Sequence, residues 1–176
     1  MKFAITAIIG LTSVVLAQQP YAGLQNRSIK SLSDQQIADL SAGRGMGLAL
    51  AAELNGYPDP RHAIELANQL NLSPEQITKL KALFETMKAE AIALGVSTIS
   101  QERKLNDEFA NRTITLTKLV EATQEIGATQ AALRATHLKY HLSTVDILSP
   151  EQVARYNELR GYKTDEGPTH SKHQHQ

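Results

Sequence analysis

Side chains able to do chemistry are few in this 176-residue chain, and they are unevenly placed. There are six histidines, at His62, His137, His141, His170, His173 and His175, and no cysteine. His137 and His141 stand four apart in a stretch with helical periodicity. That spacing puts them one turn up the same side, a two-point metal clamp that needs at least one further ligand. His137 also lies near an apolar seam, where a hydrogen-bonded core histidine is the commoner role. The tail carries His170, His173 and His175 as H-x-x-H-x-H. Three imidazoles on a flexible segment chelate Zn or Cu weakly, because nothing pre-organises them. No cofactor is required by any other pattern. The chain has no G-x-S-x-G elbow, H-E-x-x-H pair or P-loop, so no enzymatic activity is expected. Adjacent carboxylates such as Asp107 and Glu108 point apart on a helix, so they do not form an acid–base pair. Gly43-Arg44-Gly45-Met46-Gly47 has three glycines at spacing two. With no preceding strand it is not a phosphate-binding fingerprint. It reads as close backbone packing or as a break between helical pieces.

These residues need elements to position them, and one device starts those elements repeatedly. Leu72-Ser73-Pro74-Glu75-Gln76-Ile77 is followed, 76 residues later, by Leu148-Ser149-Pro150-Glu151-Gln152-Val153. A weaker third copy runs from Leu32 to Ile37. Ser73 and Ser149 can cap the free N–H groups of a first helical turn. Pro74 and Pro150 fit the first helical position, where the missing donor costs nothing. Glu75 and Glu151 place negative charge at the positive end of the helix dipole. Gln76 and Gln152 complete a capping box. The leading Leu and trailing Ile or Val form a hydrophobic staple.

The helices follow from periodicity. Ser33 caps a segment through Leu40. Leu48 to Leu54 is a strong helix former, and Asn55-Gly56 ends it. Arg61 to Leu70 is a short amphipathic helix closed by Asn71. The first full motif opens the longest segment, with Ile77, Leu80, Phe84, Met87, Ala91 and Leu94 at steps of three and four. Gly95 to Thr98 predicts a bend or a change of packing partner. Ala110 to Thr113 is a turn. A second long helix runs from about Thr115 to about Ile147, with Leu116, Leu119, Ile126, Leu133, His137 and Tyr140 near its seam. The second motif starts a last helix ending at Gly161. No stretch alternates as a strand does, so the fold is all-α: a long bent helical hairpin with flanking shorter helices, a thin and curved layer with one face left open.

Composition is that of one folded domain, 20% charged and 41% hydrophobic with zero formal net charge. Neutral charge and few aromatics argue against nucleic acid as a partner. Met1-Lys2, an apolar run to Ala17 and the ending Val15-Leu16-Ala17 read as a secretory signal peptide over residues 1–17. A loose N-terminal arm follows over 18–31, then a helical domain over 32–162. A disordered His-containing tail spans 163–176. Two Asn-x-Ser/Thr sites, at Asn26 and Asn111, are glycosylation acceptors only in a eukaryotic secretory pathway.

At the paired L-S-x-x-Q motifs the chain resembles the periplasmic Spy/CpxP family of LTxxQ-motif proteins, which includes the metal-responsive ZraP type. Leu72 to Gln76 and Leu148 to Gln152 match residue by residue, with Ser for the commoner Thr. The resemblance covers roughly Pro60 to Tyr162, and Leu32 to Pro60 departs from it. It implies a bent α-helical cradle, commonly an antiparallel homodimer, located in the periplasm. The concave face of such a cradle binds unfolded or misfolded envelope proteins without ATP, as a chaperone or an envelope stress-response adaptor. A sensor-kinase periplasmic domain is the other partner the resemblance implies. The alternative reading is a heavy-metal (Zn or Cu) sensor or buffer.

Overall fold

The computed structural model describes residues 20–162. The predicted signal peptide, the start of the arm and the tail with His170, His173 and His175 lie outside the described residues. Six α-helices and no strand occur within them: α1 (Asp34–Ser41), α2 (Leu50–Glu53), α3 (Pro60–Glu65), α4 (Pro74–Ala110), α5 (Leu116–Ile147) and α6 (Pro150–Leu159). A single 3-10 turn, Leu24–Asn26, precedes them.

All three copies of the motif start helices as their residue types dictate. Ser33, Ser73 and Ser149 accept a hydrogen bond from the backbone N–H of Gln36, Gln76 and Gln152 respectively, and each glutamine Oε1 accepts one from the serine N–H. Two orphan donors are satisfied reciprocally at each start. Helix ends are equally local in cause. After α4, Arg112 turns left-handed (φ 56°), and Thr113 N–H reaches back to the Glu108 carbonyl at 3.0 Å. Gly161 (φ 73°) does the same after α6, with Tyr162 N–H on the Asn157 carbonyl. These closures satisfy carbonyls that the helix itself leaves free.

α4 and α5 form the hairpin. At 37 and 32 residues, and 1.5 Å per residue, they are roughly 55 and 48 Å long. The shorter helices pack against it from the motif end to its middle. One apolar cluster joins Ala63, Leu70, Leu72, Leu80, Leu148 and Tyr156. It places the residues before both motifs in one core beside the start of α6. A second cluster joins Ile29, Leu32 and Leu40 to Ala91 of α4 and Leu133 of α5.

Four expectations need correction. The arm is not loose where it is described: Ile29 is fully buried, and Ser31 and the Lys30 amide bond to Glu102 and Asn106 of α4. The Leu48–Leu54 helix is only α2, four residues long, because the left-handed Gly47 and Gly56 stand close on either side. The Arg61–Leu70 helix stops at Glu65 and continues as turns closed by Asn71 (φ 51°). Leu116 is not in the seam: it is 77% exposed, because the hairpin turn swings the first residue of α5 outward. At Gly95 the helix is continuous, and α1 packs closely against it. A Cβ on Gly95 would stand 2.1 Å from the Leu40 carbonyl oxygen, so α1 can sit this close only because that side chain is absent. Thr98, buried beside it, returns its hydroxyl to the Leu94 carbonyl at 2.9 Å, which removes the cost of a polar group there.

Candidate functional site

The two full motifs meet in space. Gln76 Nε2 donates to Gln152 Oε1 at 2.8 Å, and Gln152 Nε2 donates to Gln76 Oε1 at 3.1 Å. Each amide also reaches the backbone just ahead of the opposite motif. Gln76 donates to the Ile147 carbonyl at 2.9 Å, and Gln152 to the Leu70 carbonyl at 3.3 Å. Each Oε1 still accepts its own serine N–H. A primary amide has two donors and two acceptor sites, and both glutamines use all four. The glutamine in the motif is therefore more than a capping group. It ties the start of α4 to the start of α6. Sequence alone assigned it only the local half of that role. Leu72 and Leu148 are buried beneath the junction. Glu75 and Glu151 are exposed, Glu75 paired with Lys79 and Glu151 with the Ser149 hydroxyl.

A second polar centre lies under α2 and α3, and reading the sequence missed it. Glu53 is 6% exposed. Its Oε1 accepts the Tyr156 hydroxyl at 2.6 Å, and its Oε2 accepts the Asp59 N–H at 3.1 Å. His62 Nδ1 and Arg160 Nε each stand 3.5 Å from Oε1. Burial alone would raise this carboxyl, but the hydrogen bonds from His62 and Tyr156 and the nearby histidine charges outweigh it and leave it at about 2. The bond to Glu53 raises His62 above its usual value against the opposing effect of burial. Burial and Glu53 push the Tyr156 hydroxyl far up. One signal for this centre was available: Glu53 is the only charged residue in Leu48–Leu54. Asp59 before Pro60 was a second, since Asp59 caps α3 by accepting the Arg61 and His62 N–H groups.

Both helical histidines point inward. His141 is 2% exposed, and its Nδ1 donates to the Tyr57 carbonyl at 2.7 Å. Its Nε2 stands 3.7 Å from Asp59 Oδ2. His137 is 4% exposed, and burial lowers its pKa. Its Nε2 is buried with no hydrogen-bond partner. Among the described residues no group of three or more His, Asp or Glu is arranged to hold a metal ion. A cavity of about 630 Å³ opens beside this pair, walled by the Gly43–Gly47 loop, α2, α3, α4 and α5. The glycines do both things expected of them. Gly43 lets the loop approach Ile92 and the Lys88 carbonyl, where a Cβ would stand 3.0 Å from each, and the loop breaks α1 from α2.

The far end of the hairpin is built differently. Phe109, Leu116 and Val120 are 54%, 77% and 45% exposed. Leu116 and Val120 share a face of α5 at a spacing of four. No described helix long and apolar enough to cross a membrane is present.

A family described as LTXXQ motif family protein matches residues 61–160. No curated protein and no solved structure matches the chain.

Proposed function

The chain belongs to the LTXXQ motif family, and on that premise we propose that it is a periplasmic, ATP-independent chaperone or envelope stress-response adaptor. It holds unfolded or misfolded envelope proteins on the uncovered part of the α4–α5 hairpin and catalyses no reaction. The observation that carries this reading is the exposed apolar set at the hairpin tip. Phe109, Leu116 and Val120 stand beyond the last contacts of the N-terminal segment, which reach Glu102 and Asn106. Solvent-facing apolar groups with charged neighbours such as Lys104, Glu108 and Lys118 suit weak, sequence-tolerant contact with a partly folded chain. A homodimer would enlarge that surface by presenting it twice.

Suppression of aggregation of a chemically denatured client tests the reading. Wild type is expected to suppress light scattering at up to equimolar ratio. The Leu116→Asp and Val120→Asp double variant, whose positions are solvent-exposed, is expected to keep its circular dichroism melt and lose most of the protection. Equal protection by the variant, or none by wild type, sinks the proposal.

A further inference from the structure

The cavity beside α5 has features that neither helix packing nor client holding uses. Its volume, about 630 Å³, is in the range of small-molecule sites, roughly 300–1,000 Å³. Three consecutive amides on its wall, the N–H groups of Gly45, Met46 and Gly47, donate to no acceptor among the described residues. Met46 holds φ at 44°, a left-handed conformation that costs a residue with a side chain about 1–2 kcal/mol. Unpaired backbone N–H groups on a concave wall are donors that an anion can use. Behind the loop stands His137. Its Nδ1 lies 3.7 Å from the point where a Cβ on Gly45 would be, and neither ring nitrogen has a hydrogen-bond partner among the described residues. Of the two, Nε2 is the buried one, and a buried ring nitrogen left unmet is expensive unless something supplies the partner.

The charges on the wall select the sign of the occupant. Glu53 accepts the Tyr156 hydroxyl and the Asp59 N–H, and Asp59 Oδ1 accepts two N–H groups of α3 while its Oδ2 stands 3.7 Å from His141 Nε2. Arg44 and Arg61 are paired with Asp39 and Glu65. Lys88, also on the wall, has no ion-pair partner among the described residues. Three unpaired N–H donors and one unpaired cation on the wall favour a negatively charged group beside the loop. Phe84, Met87 and Leu50 supply apolar wall, so a bare oxyanion would leave most of the space unfilled.

We propose that this cavity binds a small organic carboxylate, its charge on the Gly45–Gly47 amides and Lys88 and its apolar body against Phe84 and Met87. The first probe is benzoate, followed by ¹H–¹⁵N correlation spectra of the full chain. The Gly45, Met46 and Gly47 amides and the His137 ring nitrogens are expected to shift together and saturate, with Kd below about 1 mM. The Lys88→Glu variant, at an exposed position, is expected to keep the wild-type melt and bind benzoate roughly tenfold or more weakly, as charge reversal at the anion demands. Inorganic phosphate is the second probe, and it is expected to shift these signals at least tenfold less effectively. Equal response to phosphate would overturn the organic-ligand assignment. Benzoate shifts that never saturate, or that are unchanged in Lys88→Glu, would overturn the site.

Discussion

A glutamine amide is the smallest unit that explains the motif. Gln76 and Gln152 face one another with every donor and acceptor used, so no other side chain of that size can replace either. Glutamate at either position would lose both donors and set a carboxylate oxygen against a backbone carbonyl and the other glutamine's Oε1. Alanine at either position strands the other amide, and a buried unmet polar group costs about 1–3 kcal/mol. The Gln76→Ala and Gln152→Ala variants are each expected to lose that much in urea unfolding. The double variant should lose clearly less than their sum, with a coupling of about 0.5–3 kcal/mol. Strict additivity would mean that each glutamine only caps its own helix. Glu53 and His62 make a second residue-scale prediction. His62 is raised by Glu53, so its contribution is fully present below the ordinary histidine value and is lost as pH rises through the raised one. Glu53 is lowered to about 2, so its contribution holds above the ordinary carboxylate range and is lost only as pH falls toward 2. Between those limits the pair is intact. The stability difference between wild type and His62→Gln is expected to be larger at pH 5.5 than at pH 8.5, measured by denaturant midpoints. His137 works in the opposite direction. Burial lowers it, so it is held neutral and costs stability as pH falls below the ordinary histidine value.

At the scale of elements, α1 and the segment before it are joined to the hairpin through one close approach. The Leu40 carbonyl lies where a side chain on Gly95 would be. Gly95→Ala would raise helix propensity in an isolated peptide by about 1 kcal/mol. In this protein it is expected to destabilise instead, by about 1–3 kcal/mol, since an added methyl must push α1 away. Thermal melts would show the sign directly, and a higher midpoint would place α1 elsewhere. The helix starts are more forgiving. Ser149→Ala removes a cap and is expected to cost about 1 kcal/mol, while leaving the Gln152 link to Gln76 in place.

Across the whole molecule, packing is concentrated away from the hairpin tip. The two apolar clusters and the Glu53 centre lie where α1, α2, α3 and α6 meet the hairpin. Beyond Asn106 the described structure has α4 packed on α5 alone, with a Glu108–Lys118 ion pair at 2.9 Å across the turn. Exposed pairs of this kind contribute about 0–1 kcal/mol. Local opening is therefore expected to be easiest at the tip. Native-state hydrogen exchange should show amides around Phe109 and Val120 opening at lower free energy than those around Leu80 and Tyr140. Equal protection along both long helices would contradict this. An easily opened, apolar tip on a braced base also suits the proposed holding of unfolded chains.

Residue types and their spacing determined the all-α fold, the three capped helix starts, the two long helices and the turn between them. Each of these rests on interactions within a few residues of chain, which a sequence displays directly. The tertiary structure alone decided that Gln76 meets Gln152, 76 positions apart, and that Glu53 is buried against Tyr156. It also placed the Gly43–Gly47 loop beside His137 as the wall of a cavity. These pairings join segments far apart in the chain, and nothing in local periodicity encodes them. They exist because burying the apolar faces of α1, α3 and α6 on the hairpin brings their polar groups together, where each must find a partner once water is gone.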